Sequence, residues 1–483
     1  MLVSLASLAV GCFGEKRSPK PNGTALWIAA ESSVPETGVL GRLSSQGIGE
    51  YFVEAARLRV EGRTVAVEPA PALRMTRRER TTLVVGGAWP LLDVDVEATA
   101  RGLAEAVAGL RLEADRAGQL PVGVHFDLET GGTSESFAAV LSELRDLMDP
   151  DLYLSVSLSR RDLELEGLSE RLEAVDFTVA FLYGQRPGEK EDSAAWDLLA
   201  VERAAGRLEE IGRPYYLAAS ILGLASWRGR GGETKAETTE LDLASLVRED
   251  RLELKRGFTL EGIDRQVYEF RARGPVTVGS WKLAASDSVR VVRAATTNIE
   301  ELLRRAQAWR GERRLGVLFW RLPSGTERLS MTASNVADAL APEPARPALD
   351  VLIERSESRR ETWVLSVTLD NRNDESTDLA FFDSNYVDLA VRGGRIADVD
   401  PGDFARFELS RDGERATMRA LREADKVRLF APLVEGKQKL VSGPIVFVRG
   451  EGAQAILSSG RFILTDGEML DLELREWSFG GDR

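Results

Sequence analysis

GVHFDLE, residues Gly123 to Glu129, is the stretch whose alternation decides how the first two thirds of this chain folds. Side chains on a β-strand point to opposite faces with period two. His125, Asp127 and Glu129 therefore share one face, while Val124, Phe126 and Leu128 take the other, where an apolar layer covers them. The polar face carries the only histidine of the chain beside two acids. Burying such groups costs free energy unless they are partnered or used. Parallel α/β sheets place their chemistry at the carboxyl ends of strands, where this run ends.

Working outward, short apolar or β-branched runs recur on both sides. Ala25–Ala30, Thr64–Glu68, Thr82–Gly86, Val122–Leu128, Tyr153–Leu158, Phe177–Tyr183, Tyr216–Ser220 and Gly316–Leu322 read as strands buried on both faces. Between them, Val96–Leu112, Ser134–Met148, Ala194–Ile211 and Asn298–Trp309 carry apolar side chains at helical spacing. Eight strands alternating with helices predict a closed (β/α)₈ barrel, an α/β TIM barrel, over residues 24–340. About 75 residues between the seventh strand and the helix near 298 read as a β-rich insertion. Gly86-Gly87 follows a strand but lacks the rest of a nucleotide-binding fingerprint. Three prolines at 342, 344 and 347 mark a stiff linker over 341–348. Beyond it the period changes to two, with Trp363, Leu365, Val367 and Leu369 alternating with mostly polar residues. Residues 349–483 are thus expected to form an all-β, immunoglobulin-like sandwich.

Composition narrows the function classes. The 483 residues carry 63 basic and 77 acidic side chains, a net charge of −14, which disfavours nucleic acid or an anionic surface as the main partner. A neutral polymer such as a glycan is compatible with that charge. No interior run reaches the roughly 18 apolar residues that span a bilayer. Cys12 is the only cysteine, so no intrachain disulfide exists. It follows an apolar run, Leu2–Val10, and precedes a polar tether containing Pro19 and Pro21. Ala9-Val10-Gly11-Cys12 resembles the lipobox of bacterial lipoproteins. That resemblance implies a signal over residues 1–11, a lipid anchor at Cys12, a tether over 12–23 and a place in the cell envelope. The alternative is an apolar leader with an unmodified thiol.

Three of the strands together resemble glycoside hydrolase family 18, the family of chitinases and their inactive lectin-like relatives. The family pattern ends its fourth strand in D-x-x-D-x-D-x-E, its sixth in Met/Phe-x-Tyr and its eighth in G-V-x-x-W. Here the corresponding runs are GVHFDLE, VAFLYGQ and GVLFWRL. The resemblance implies Glu129 as general acid, Asp127 as the aspartate two residues before it, Tyr183 as the strand-six tyrosine and Trp320 as the floor of a sugar site. It also implies a retaining route in which the substrate's own acetamide attacks the anomeric carbon. His125 and Val122 stand where that family has two further aspartates, and Gly184-Gln185 follows Tyr183 in place of an aspartate. Phe319–Pro323, FWRLP, also resembles a segment of a bacterial family of unknown function, number 3142 in its series.

The chemistry behind these assignments is general. Glycosidic cleavage needs a proton donor at the leaving oxygen and a second group that stabilises the developing cation. A glutamic acid among Phe126, Tyr183 and Trp320 would be desolvated and so kept protonated towards neutrality. Trp27, Trp89 and Trp320 at strand ends are candidates to stack on sugar rings. Other readings stand beside these. Asp127 and Glu129 can form structural ion pairs, with Arg321 the interior cation placed to neutralise Glu129. His125 reads as a hydrogen-bonded core histidine or a ligand contact, and with no second histidine no metal or cofactor is expected. Three functions follow: a glycosidase, a non-catalytic carbohydrate or cell-wall binder, or an envelope scaffold.

Overall fold

In the computed structural model the described residues are 23–32, 34–61, 63–71, 79–89, 94–128, 131–182, 198–259, 266–294, 296–308, 311–343, 345–359, 361–379, 384–411, 414–415, 423–450 and 455–478. Cys12, Glu129 and Tyr183 lie outside them.

Eight parallel strands close on themselves. They are β1 (Thr24–Ile28), β2 (Ile48–Glu61), β4 (Arg80–Gly87), β5 (Leu120–Leu128), β6 (Tyr153–Ser159), β7 (Phe177–Phe181), β8 (Tyr215–Ser220) and β16 (Arg314–Leu322). Each pairs with the next around the ring, and β1 closes it by pairing with both β2 and β16. GVHFDLE is thereby the fourth barrel strand, between β4 and β6.

The second strand corrects the sequence reading. Thr64–Glu68 is not in the barrel: β3 (Thr64–Pro69) folds back antiparallel on the outer edge of β2. The barrel strand is Ile48–Glu61, whose EAARLR segment is built of good helix formers. Tertiary pairing on both sides overrides that local preference.

Helices coat the outside. α2 (Val96–Arg116) buries Ala100, Leu103, Val107 and Leu110 along one stripe, and Asp95 caps its start by accepting from the Ala98 amide at 3.0 Å. α3 (Glu135–Leu147) starts at Ser134 and buries Phe137, Val140, Leu141 and Leu144. No helix among the described residues is long and apolar enough to cross a membrane.

The barrel interior is filled rather than open, as packed TIM barrels are. At its amino-terminal end Thr82 donates to the buried Glu50 carboxylate at 2.5 Å. Above this, Phe52, Phe177 and Tyr216 meet edge to face, 5.8–6.3 Å apart.

After β8 the expected insertion appears. β9 (Leu224–Arg228), β10 (Thr234–Thr238), β11 (Leu252–Thr259), β12 (Gln266–Ala272) and β15 (Ser288–Arg293) form one antiparallel sheet in the order β10-β9-β15-β12-β11. The carboxyl-terminal part is all-β: two sheets, of five and six strands, enclose Trp363, Leu365, Val367, Leu389, Val427 and Phe447.

Despite the proline-rich linker, the all-β part packs closely on the rest. Its Leu379 and Leu433 join the core of the insertion. Its Glu375 accepts from Thr296 at 2.6 Å and Asn335 at 3.0 Å, both on barrel helices. Tyr268 of β12 donates to Asp378 at 2.5 Å within the same seam, and burial pushes the Asp378 carboxyl above the usual carboxylate range. Tyr268→Phe therefore leaves a buried acceptor short of its donor. A loss of about 1–3 kcal/mol is expected in denaturant unfolding; an unchanged midpoint would show that the seam does not depend on this bond.

Candidate active site

The carboxyl-terminal mouth of the barrel is built from the last inward residues of each strand. On β5 the inward face carries Gly123, His125 and Asp127, as the alternation requires; Phe126 points outward and meets Phe137 of α3 at 5.7 Å. Each step along the strand raises a side chain from floor to rim.

His125 is on the floor. It is wholly buried, with Nδ1 3.0 Å from Ser155 Oγ and Nε2 2.9 Å from Ser157 Oγ. Trp27 and Phe52 meet its ring edge-on at 5.5 and 5.4 Å. Burial pushes its pKa down to about 3, so the imidazole is neutral at ordinary pH. The substrate contact expected of His125 is therefore not available at its ring, because both nitrogens are engaged beneath the surface. Among the described residues no group of three or more His, Cys, Asp or Glu side chains is placed to hold a metal ion.

Asp127 stands one pleat higher and is partly exposed. Ser157 donates to its Oδ1 at 2.7 Å. Glu129 follows Leu128, the last residue of β5, and Tyr183 follows Leu182 directly after β7; both lie outside the described residues.

The aromatic candidates separate. Trp320, at the end of β16, is partly exposed and meets Phe181 edge to face at 5.8 Å. The peptide bond between Trp320 and Arg321 is cis. Trp27 is 3% exposed, stacked on Phe52 at 5.8 Å in the layer below the mouth. Trp89 is 2% exposed and leaves the mouth altogether, packing on Phe137 at 4.6 Å and donating to Ser136 at 3.1 Å. Its position beyond β4 suggests a sugar platform, but the apolar outer wall of the barrel claims it instead.

Arg321 also differs from expectation. It points to the loop after its own strand, where its guanidinium binds both Glu327 oxygens at 2.9 and 3.0 Å. Glu327 further accepts from the Ser324 amide and from Thr239 of the insertion. Its guanidinium also lies over the ring of Trp320, 5.8 Å from the centroid.

Sequence reasoning missed a carboxylate. Glu54 of β2 is partly exposed, and its Oε1 would lie 3.9 Å from a Cβ added at Gly86, the same distance as the Asp127 carbonyl oxygen. Gly86 pairs with Asp127 and shares its inward face, so its missing side chain opens a gap beside Glu54. Glu54 accepts from the Ala30 amide at 3.2 Å and from Arg57 at 3.3 Å. Phe52 and Glu54 alternate like His125 and Asp127, a signal hidden because this segment was not read as a strand.

No protein-family model and no curated protein matches the chain. Among solved structures it is similar to a glycoside hydrolase family 18 N-acetylglucosaminidase from Paenibacillus barengoltzii, at 14% identity and a TM-score of 0.44, covering 66% of this chain and 98% of the other. It is similar to a chitinase from Chromobacterium violaceum at 15% identity and a TM-score of 0.45, covering 67% and 100%. A chitinase from Bacillus thuringiensis matches at 9% identity and a TM-score of 0.42, covering 90% and 100%. The barrel assignment itself rests on the strand pairings above.

Proposed function

We propose that the barrel mouth binds a glycan and cleaves a glycosidic bond, with Glu129 as general acid and Asp127 and Tyr183 assisting. The observation that carries this reading is the placement of Asp127: a carboxylate at the rim of the fourth strand, held by Ser157, above the neutral ring of His125. Glu129 is the next residue of the same strand parity. Arg321, the cation expected to neutralise it, is instead tied to Glu327. Protonation of the leaving oxygen by Glu129, with Asp127 orienting an acetamide or stabilising the developing cation, is the chemistry such a pair supplies.

The fourth-, sixth- and eighth-strand motifs support the same substrate class, a polymer of acetylated sugars. The lipobox-like run ending at Cys12 supports an exported, lipid-anchored protein working in the cell envelope. A non-catalytic binder is the second reading. It is favoured by His125, which occupies the place of an acid in the resembling enzymes and holds no charge.

The test is incubation of the full chain with a hexamer of N-acetylglucosamine, scoring new reducing ends and, separately, affinity. Cleavage supports the glycosidase; affinity without product supports the binder; the absence of both overturns a glycan function. Trp320→Ala removes the partly exposed ring at the mouth and is expected to weaken binding about ten-fold. Unaltered affinity in that variant would remove Trp320 from the site.

A further inference from the structure

A chain of hydrogen bonds runs under the candidate site from the barrel wall to its rim. Ser155 Oγ lies 3.2 Å from the Val124 carbonyl oxygen and 3.0 Å from His125 Nδ1. His125 Nε2 lies 2.9 Å from Ser157 Oγ, which lies 2.7 Å from Asp127 Oδ1. Ser155 and His125 are fully buried and Ser157 is 8% exposed.

Each serine has a single hydroxyl proton, and a neutral imidazole has one N–H and one acceptor nitrogen. Two polarities therefore fit the chain. In the first, Nε2–H donates to Ser157, Ser157 donates to Asp127, and Ser155 donates to Nδ1. In the second, Ser157 donates to Nε2, Nδ1–H donates to Ser155, and Ser155 turns to the Val124 carbonyl. A carboxylate only accepts, so the second polarity sets Asp127 Oδ1 against a serine lone pair. With Asp127 ionised, the first is the arrangement in which every contact is attractive.

We propose that Ser155, His125 and Ser157 form a hydrogen-bond relay of fixed polarity that positions Asp127, with His125 locked as the Nε2–H tautomer. The use of Asp127 in catalysis rests on the function proposed above; the polarity of the relay does not. The rings and hydroxyls packed on the imidazole come from Trp27 of β1, Phe52 of β2, and Ser155 and Ser157 of β6, all uncharged. The charge that selects the tautomer is thus the Asp127 carboxylate at the far end. Burial, which holds the ring pKa at about 3, keeps the relay neutral through mild acid. Where the resembling enzymes carry another aspartate, this chain holds its rim carboxylate with a neutral donor chain.

A single histidine makes the test direct. Nitrogen-15 histidine labelling of the full chain gives two ring signals. At neutral pH the expected result is a protonated Nε2 and a pyridine-like Nδ1. Asp127→Ala removes the acceptor and frees the Ser157 hydroxyl to turn, so the tautomer is expected to switch to Nδ1–H. Ser157→Thr, which keeps the hydroxyl, is expected to preserve the wild-type signals. Nδ1–H in the wild type, or Nε2–H retained in a folded Asp127→Ala protein, overturns the relay. The wild-type measurement decides the case even if a variant fails to fold. An Nε2–H tautomer in a protein that neither binds nor cleaves the hexamer would sink the proposed function and leave the relay standing.

Discussion

Glu129→Gln is expected to lower the cleavage rate of an acetylated glycan by about 10²–10⁴-fold while leaving its affinity nearly unchanged. Glutamine matches glutamic acid in size and keeps an acceptor, but it has no proton to give. The loss should thus fall on the step that expels the leaving sugar. A nitrophenyl glycoside, whose leaving group departs without protonation, should be far less affected by the same substitution. That contrast separates a general acid from a residue that merely shapes the site. Equal losses on both substrates point to disturbed binding or folding. Equal activity of variant and wild type on the glycan would remove Glu129 from the chemistry.

The second large effect is on stability. In the unfolded chain His125 takes up a proton near its ordinary value of 6.5, whereas in the fold it resists until about pH 3. Across that window the unfolded state binds the extra proton. Stability from the neutral, buried ring is therefore complete above pH 6.5 and is lost as the pH falls towards 3. Between pH 6.5 and 5 the expected loss is about 2 kcal/mol. Buried acids in the seam act in the opposite direction. Burial raises Glu375 and Asp378, so the folded state takes up their protons first and the seam gains on acidification. His125→Gln separates the two contributions, since glutamine can bridge both serines without titrating. Denaturant unfolding of wild type and variant should give curves that diverge by this amount over the window. Parallel curves would show that His125 is protonated in the fold.

Much of the architecture was legible from local pattern. Continuous apolar runs separated by amphipathic helices imply a parallel sheet with both faces covered, and eight of them imply closure. Local pattern does not reveal the second barrel strand, Ile48–Glu61. EAARLR prefers a helix in isolation and becomes a strand only because β4 and β3 hydrogen-bond it from either side. That error hid Glu54, since a residue cannot be assigned to a barrel mouth before its strand is recognised. Arg321 and Trp89 were misplaced for a different reason. Nearness to a strand end suggests the mouth for both, yet Glu327 in the following loop holds Arg321, and an apolar helix face draws Trp89 to Phe137.

By itself the sequence determined which residues of GVHFDLE share a face, because the period of a strand is a property of the backbone. It likewise determined the division into a barrel, a β-rich insertion and an all-β part, because apolar spacing reports local geometry. Only the tertiary structure decided what that shared face meets. Ser155 and Ser157 reach His125 from a neighbouring strand about thirty residues away, and this pairing makes the histidine a buried, neutral donor beneath Asp127. Partners across a barrel are set by strand register and closure, which depend on the whole chain packing at once.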